Sequence, residues 1–120
     1  DWSSDVCSSD LVLNIQETRN KVSKMISSYR IKDLRNFKID FKLNIDWFIS
    51  NILNKSCFYC EDTNNIGCDR INNSRPHYVD NVVPCCYICN TSRNNHFTVK
   101  EFIKIGKVIK EIKLKRNEKL

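Results

Sequence analysis

Two Cys-x-x-Cys pairs constrain this chain more than any other feature: Cys57-Phe58-Tyr59-Cys60 and Cys86-Tyr87-Ile88-Cys89. Zinc takes four soft ligands in a tetrahedron, and each pair supplies two of them at one corner. The turn inside such a knuckle lets backbone N–H groups point at the thiolates. Two disulfides are a competing arrangement, but they need an oxidising compartment. The N-terminus shows neither the basic start nor the apolar stretch of a secretory signal. A redox site of the thioredoxin kind needs one pair after a strand in a parallel α/β context, which is absent. Cys57, Cys60, Cys86 and Cys89 are therefore read as the ligands of one structural zinc. Cys68 and Cys85 are left over as small buried hydrophobes. Cys85 adjoins a ligand, but only Cys86 has the knuckle spacing to Cys89.

A chain of 120 residues makes one small domain, and a core that size often needs a metal staple. No apolar run approaches the ~20 residues of a membrane span, so no membrane is an expected partner; no small-molecule substrate is expected either. Residues Asp1 to Leu11 resemble a translated sequencing-library adapter, because the whole peptide back-translates to one. A Ser/Asp-rich leader is the alternative. In either case the segment is expected to be disordered and to pack on nothing. Removing its three aspartates takes the net charge from +6 to +9. A small basic domain points to a polyanion, most often nucleic acid. AT-rich coding, which inflates Lys, Asn and Ile together, would give the same charge.

Val22, Met25, Ile26 and Tyr29 fall at helical spacing, which predicts a helix from Ile15 to about Leu34. Phe37, Ile39 and Phe41 alternate with polar residues, the pattern of a short strand. Asn44 is a good N-cap for a second helix, with Leu43 and Phe48 as a hydrophobic staple. Strands are expected over Ile66–Ile71 and Tyr78–Val83, the second stopped by Pro84, with a short helix from Tyr87. Thr98 and Glu101 make a capping box for a last helix from Val99 to about Lys115, stapled by Phe97 and Phe102. Phe102, Ile105, Ile109 and Ile112 are its expected inner face. Lys104, Lys107, Lys110 and Lys113 lie off that face, either solvated or turned to phosphate.

Between the knuckles the chain reads Gly67-Cys68-Asp69-Arg70-Ile71-Asn72-Asn73-Ser74, then Tyr78-Val79-Asp80-Asn81-Val82-Val83-Pro84-Cys85-Cys86 and Cys89-Asn90. This order of motifs resembles the HNH, or His-Me finger, endonucleases, in the zinc-knuckle branch common in phages and large DNA viruses. The match covers Cys57 to about Phe102. It implies an α+β fold in which a ββα-metal unit sits beside the zinc, treble-clef-like, flanked by helices. Residues 12–56 would form a helix, strand and helix; 57–97 the ββα unit; 98–120 a basic helix.

The resemblance also implies roles. Asp69 and Asn90 match the ligands of a catalytic Mg or Mn ion, and Asn81 matches the Asn that braces the loop. Arg93 matches a basic residue for the scissile phosphate. Arg70, Arg75 and Lys100 join Arg93 as expected nucleic-acid contacts, and the expected partner is DNA inside a bacterial or virus-infected cell. The chain departs from the pattern after Asp69. The family's general-base His is Arg70 here, and a guanidinium stays protonated. His77 lies in the connecting loop where relatives carry Gly, either as a substitute base or as surface decoration; His96 is a weaker candidate. Asp69 and Asn81 can also simply cap turns, and Asn90 the short helix. Without cleavage the chain would be a zinc-finger-like nucleic-acid-binding module.

Overall fold

The computed structural model describes the backbone of residues 2–118 and the side chains of residues 14–117. It opens with α1, Trp2–Phe37. Val22 and Ile26 are buried on one stripe of this helix, with Met25 and Tyr29 packed beside them. The expected disorder of residues 1–11 falls on side chains outside those described; the backbone from Trp2 belongs to α1.

No strand forms over Phe37–Phe41. Phe37 still belongs to α1, and Lys38 takes the left-handed φ of 59°. Its N–H closes on the Leu34 carbonyl at 3.0 Å, the ending usually made by glycine. Asp40 then folds back onto Arg30 in a two-pronged ion pair. Phe41 meets Tyr78 edge-on at 5.0 Å, and Ile39 stays exposed. Alternation alone could not form a strand here, because the segment has no partner strand.

Asn44 caps α2, Ile45–Phe48, by accepting from the Trp47 N–H at 3.0 Å. The helix widens into a π-helical turn over Ile49–Leu53, closed by the Asn54 N–H on the Ile49 carbonyl. Leu43, Phe48 and Ile52 enter the same core as the α1 stripe.

Strand β1, Ile66–Arg70, pairs antiparallel with β2, Val82–Cys86, with Cys68 opposite Pro84. The second strand thus starts later than expected and runs through Pro84; a 3-10 turn, Val79–Asn81, precedes it. Proline is tolerated because this is a non-hydrogen-bonded pair. The Cys68 N–H points outward to the Tyr29 hydroxyl at 3.1 Å. The Pro84 carbonyl points outward too, accepting from the Phe58 N–H at 2.8 Å.

Helix α3, Tyr87–Arg93, follows β2 without a loop. Helix α4, Val99–Glu118, carries the expected capping box: Thr98 N–H to Glu101 at 2.9 Å and Glu101 N–H to Thr98 at 3.1 Å. Phe97 and Phe102 staple it, with ring centroids 6.0 Å apart. Its inner face differs at one end. Phe102, Ile105 and Ile109 face inward, but Ile112 is 44% exposed and Lys113 turns in instead. Residues three and four beyond Ile109 compete for that face, and the thiolates below it select the cation. The result is a small α+β domain: a two-stranded sheet and α3, flanked by helices.

Candidate metal centre and active-site cavity

The sulfurs of Cys57, Cys60, Cys86 and Cys89 lie within 4.8 Å of one another, and all four residues are buried. Cys60 and Cys86 are 3.6 Å apart, far beyond a disulfide bond. Zn–S bonds of ~2.3 Å place tetrahedral sulfurs ~3.8 Å apart, so the set fits one structural zinc. Each knuckle turns an N–H to a thiolate: Tyr59 to Cys57 at 3.4 Å and Cys89 to Cys86 at 3.4 Å. After the first knuckle Glu61 takes a left-handed φ of 66°, which closes its N–H onto the Cys57 carbonyl. Cys86 doubles as the N-cap of α3. Lys113 reaches over the cluster, donating to Cys60 at 3.3 Å, Cys86 at 3.5 Å and Asp62 at 2.9 Å. The role foreseen for it, a solvated or phosphate-facing lysine, gives way to one inside the metal centre. A four-thiolate zinc carries net negative charge, which the half-buried Lys113 ammonium offsets. Cys68 and Cys85 are buried outside this set.

A cavity of about 320 Å³ is lined by Asp69, Arg70, His77 and Asn90, with Tyr29 and Lys32 from α1 among its walls. Asp69 and Asn90 therefore share one cavity. Cys68, which precedes Asp69 on β1, is also in its wall.

Asp69 is 5% exposed. One Arg93 nitrogen donates to both its oxygens at 2.8 Å, and the Tyr59 hydroxyl donates to Oδ2 at 2.8 Å. Burial pushes the Asp69 carboxyl above the usual carboxylate range, against the pull of Tyr59 and Arg93. Burial likewise raises the Tyr59 phenol, so it remains a donor. Arg93 corrects an expectation. It does not project toward a phosphate but is 2% exposed, and it also donates to the Arg70 and Ile71 carbonyls. The reason is geometric: α3 starts directly at the end of β2, so its last turn lies against β1.

Arg70 ends β1 with its guanidinium 5.6 Å over the Phe37 ring. It donates to the Asn73 and Arg75 carbonyls at 3.1 and 3.2 Å. Asn81, 1% exposed, holds the same loop from inside. Its Nδ2 donates to the Asn72, Arg75 and Pro76 carbonyls, and its Oδ1 accepts from the Asn72 N–H. Arg75 is paired with Asp80 at 3.2 Å and stays exposed, as does Lys100; neither lines the cavity.

His77 is no surface decoration. It is 6% exposed and stacks on Tyr29 at 4.7 Å. Its backbone N–H donates to Asp33 Oδ2 at 2.8 Å, and its Nδ1 lies 2.8 Å from Asp33 Oδ1. His96 is exposed. Asp33, 1% exposed, is the residue that sequence reasoning missed. Its signal was available: Asp33 continues the Val22, Ile26, Tyr29 stripe at helical spacing, so a carboxylate stands where an apolar residue is due.

No protein-family model matches the chain, and no curated protein matches it. Its fold is similar to that of the rare-cutting HNH restriction endonuclease PacI, with a TM-score of 0.60. That alignment covers 78% of this chain and 80% of the other at 18% identity. Similarity at that level is similarity of fold.

Proposed function

We propose that this chain is an HNH-type, metal-dependent endonuclease that hydrolyses DNA phosphodiester bonds. One observation carries the reading. A single cavity gathers a buried carboxylate, an amide, a guanidinium and an imidazole beside a four-cysteine cluster. Phosphodiester hydrolysis requires charge stabilisation on the phosphoryl oxygens and an activated water. Asp69 and Asn90 offer the oxygen donors that Mg or Mn takes, and such an ion would supply Lewis-acid polarisation of the phosphate. Arg70 stays cationic at the cavity and suits the phosphate. Lys32 adds positive charge at its wall. The four cysteines would hold zinc as a staple and take no part in the chemistry. Among the described residues no helix is long and apolar enough to cross a membrane.

A second reading, a nucleic-acid-binding module that does not cut, is favoured by one specific contact. Arg93 already neutralises Asp69, which weakens that carboxylate's hold on a cation.

Supercoiled-plasmid nicking with Mg²⁺ or Mn²⁺ separates the two. Asp69→Asn is the control, since it keeps the side-chain shape. Nicking by the wild type that is lost in Asp69→Asn, with zinc content retained, is the expected result. DNA binding that weakens steeply with salt, with no nicking under either ion, would establish the binding module instead.

A further inference from the structure

We infer that His77 takes the proton of the attacking water at Nε2, and that Asp33, from α1, is the positioning residue that keeps Nε2 free to do so. This rests on the hydrolase reading of the cavity and assigns its missing base.

Arg70 occupies the place of the usual base and cannot accept a proton. Among the residues lining the cavity, His77 is the imidazole. Its ring is fixed on two sides. Nδ1 faces the Asp33 carboxylate at 2.8 Å, and the ring lies against Tyr29 at an interplanar angle of 28°. An ionised carboxylate only accepts, so it selects the tautomer with the proton on Nδ1. Nε2 then carries a lone pair. It makes no hydrogen bond among the described residues and is not sealed from solvent. The loop cannot easily swing the ring away, because the His77 N–H is tied to the other Asp33 oxygen and Asn81 holds the Pro76 carbonyl at 2.9 Å.

The protonation state also suits a base. Burial lowers the His77 pKa from the usual imidazole value, against the pull of Asp33, with Arg70 and Lys32 lowering it further. The other ionisable groups around the ring are Tyr29 on α1, and Cys68 and Asp69 on β1. Burial pushes the Tyr29 phenol up to about 12, and it pushes the Cys68 thiol up as well. Neither thiol nor phenol competes for the role.

In the step itself, the water oxygen forms a bond to phosphorus and one water proton passes to Nε2. The bond from phosphorus to the leaving sugar oxygen breaks. That oxygen keeps the electron pair and takes a proton from solvent. Asp33 stabilises the imidazolium until it returns its proton to solvent. Helix α1, outside the ββα unit, thereby becomes part of the active site.

The test uses the zinc-loaded full chain in two arms. Imidazole ¹⁵N NMR reads the ring without any need for activity. The expected wild-type signal is the Nδ1-protonated tautomer titrating below ~6.5. In Asp33→Asn the Nε2-protonated form should gain population and the titration midpoint should fall. A wild-type ring protonated on Nε2 at neutral pH overturns the assignment. Plasmid nicking is the second arm. His77→Gln should slow it about 10²–10⁴-fold, the usual worth of a general base. In His77→Ala, added imidazole should restore nicking, with no such rescue in Asp69→Asn. In Asp33→Asn the plateau should fall and the acid limb of the rate profile should move to lower pH. Nicking at an unchanged rate in His77→Gln overturns the base and leaves the hydrolase reading standing. A wild type that nicks under no divalent ion overturns the hydrolase reading and the base with it.

Discussion

Arg93 heads the fully buried side chains by size, and its position sets how strictly the cavity is built. Its guanidinium binds Asp69 and the carbonyls of Arg70, which ends β1, and of Ile71 just beyond it, leaving only Nε without a partner. Removing one member of a buried ion pair strands the other charge, at a cost of about 3–5 kcal/mol. Arg93→Ala should therefore lower unfolding free energy by about 3 kcal/mol in urea titration. The salt dependence of DNA binding should keep its slope, since no phosphate contact is lost. A phosphate-contacting arginine would behave the opposite way: stability nearly unchanged, and a slope smaller by about one. Glu61 shows a different economy at the residue scale. It accepts a left-handed backbone that glycine would adopt more readily, and it holds Lys110 of α4 as an ion pair.

Among the elements, α4 supplies no cysteine but is fastened beside the metal centre. Lys110 and Lys113 fasten it to the first knuckle through Glu61 and Asp62, and Phe102 meets the Tyr59 ring edge-on at 5.0 Å. Gly106 makes that approach possible. A Cβ there would stand 2.6 Å from Tyr59 Cβ and 2.7 Å from its carbonyl oxygen. Two of the three nearest atoms are backbone of the knuckle, which cannot yield without moving Cys57 and Cys60. In an isolated helix Gly→Ala would stabilise by about 1 kcal/mol. Here the overlap should dominate, and overpacking costs about 1–3 kcal/mol. Gly106→Ala is expected to melt at lower temperature and to release zinc faster to a chelator. A rise in melting temperature would mean that α4 does not dock there. Helix α1 acts at a distance from the knuckles. Its Tyr29 holds the edge of β1 and stacks on His77, and its Asp33 orients the ring.

At the scale of the whole molecule the buried hydrophobic set is small, and six of its members are cysteines. Four of those six form the metal cluster. Without a cation, four thiols crowd together at the junction of the first knuckle, β2 and α3. Structural zinc contributes about 10 kcal/mol or more to folding. Natively purified protein should hold one zinc per chain by elemental analysis. Stripping it with a strong chelator should abolish the cooperative thermal transition. A transition unchanged after complete zinc removal would show that the apolar core suffices and that the cluster is not the staple.

The parts that depend on near neighbours were legible in the residues themselves. Both knuckles, the Asn44 cap, the Thr98–Glu101 box and the start of α3 are set within a few residues, so spacing and side-chain chemistry specify them. The choice of Cys86 over Cys85 was legible for the same reason. What the charged and polar side chains face depends instead on how distant elements pack. Asp69 and Arg93 are brought together by the β2–α3 junction, and His77, in a loop, meets Asp33 of α1 from 44 residues away. Lys113 turns inward only because thiolates lie beneath it. The segment after α1 had the alternation of a strand and formed none, because a strand also requires a partner edge. Hydrogen bonds and ion pairs between distant residues depend on how elements pack, and no local pattern encodes that packing.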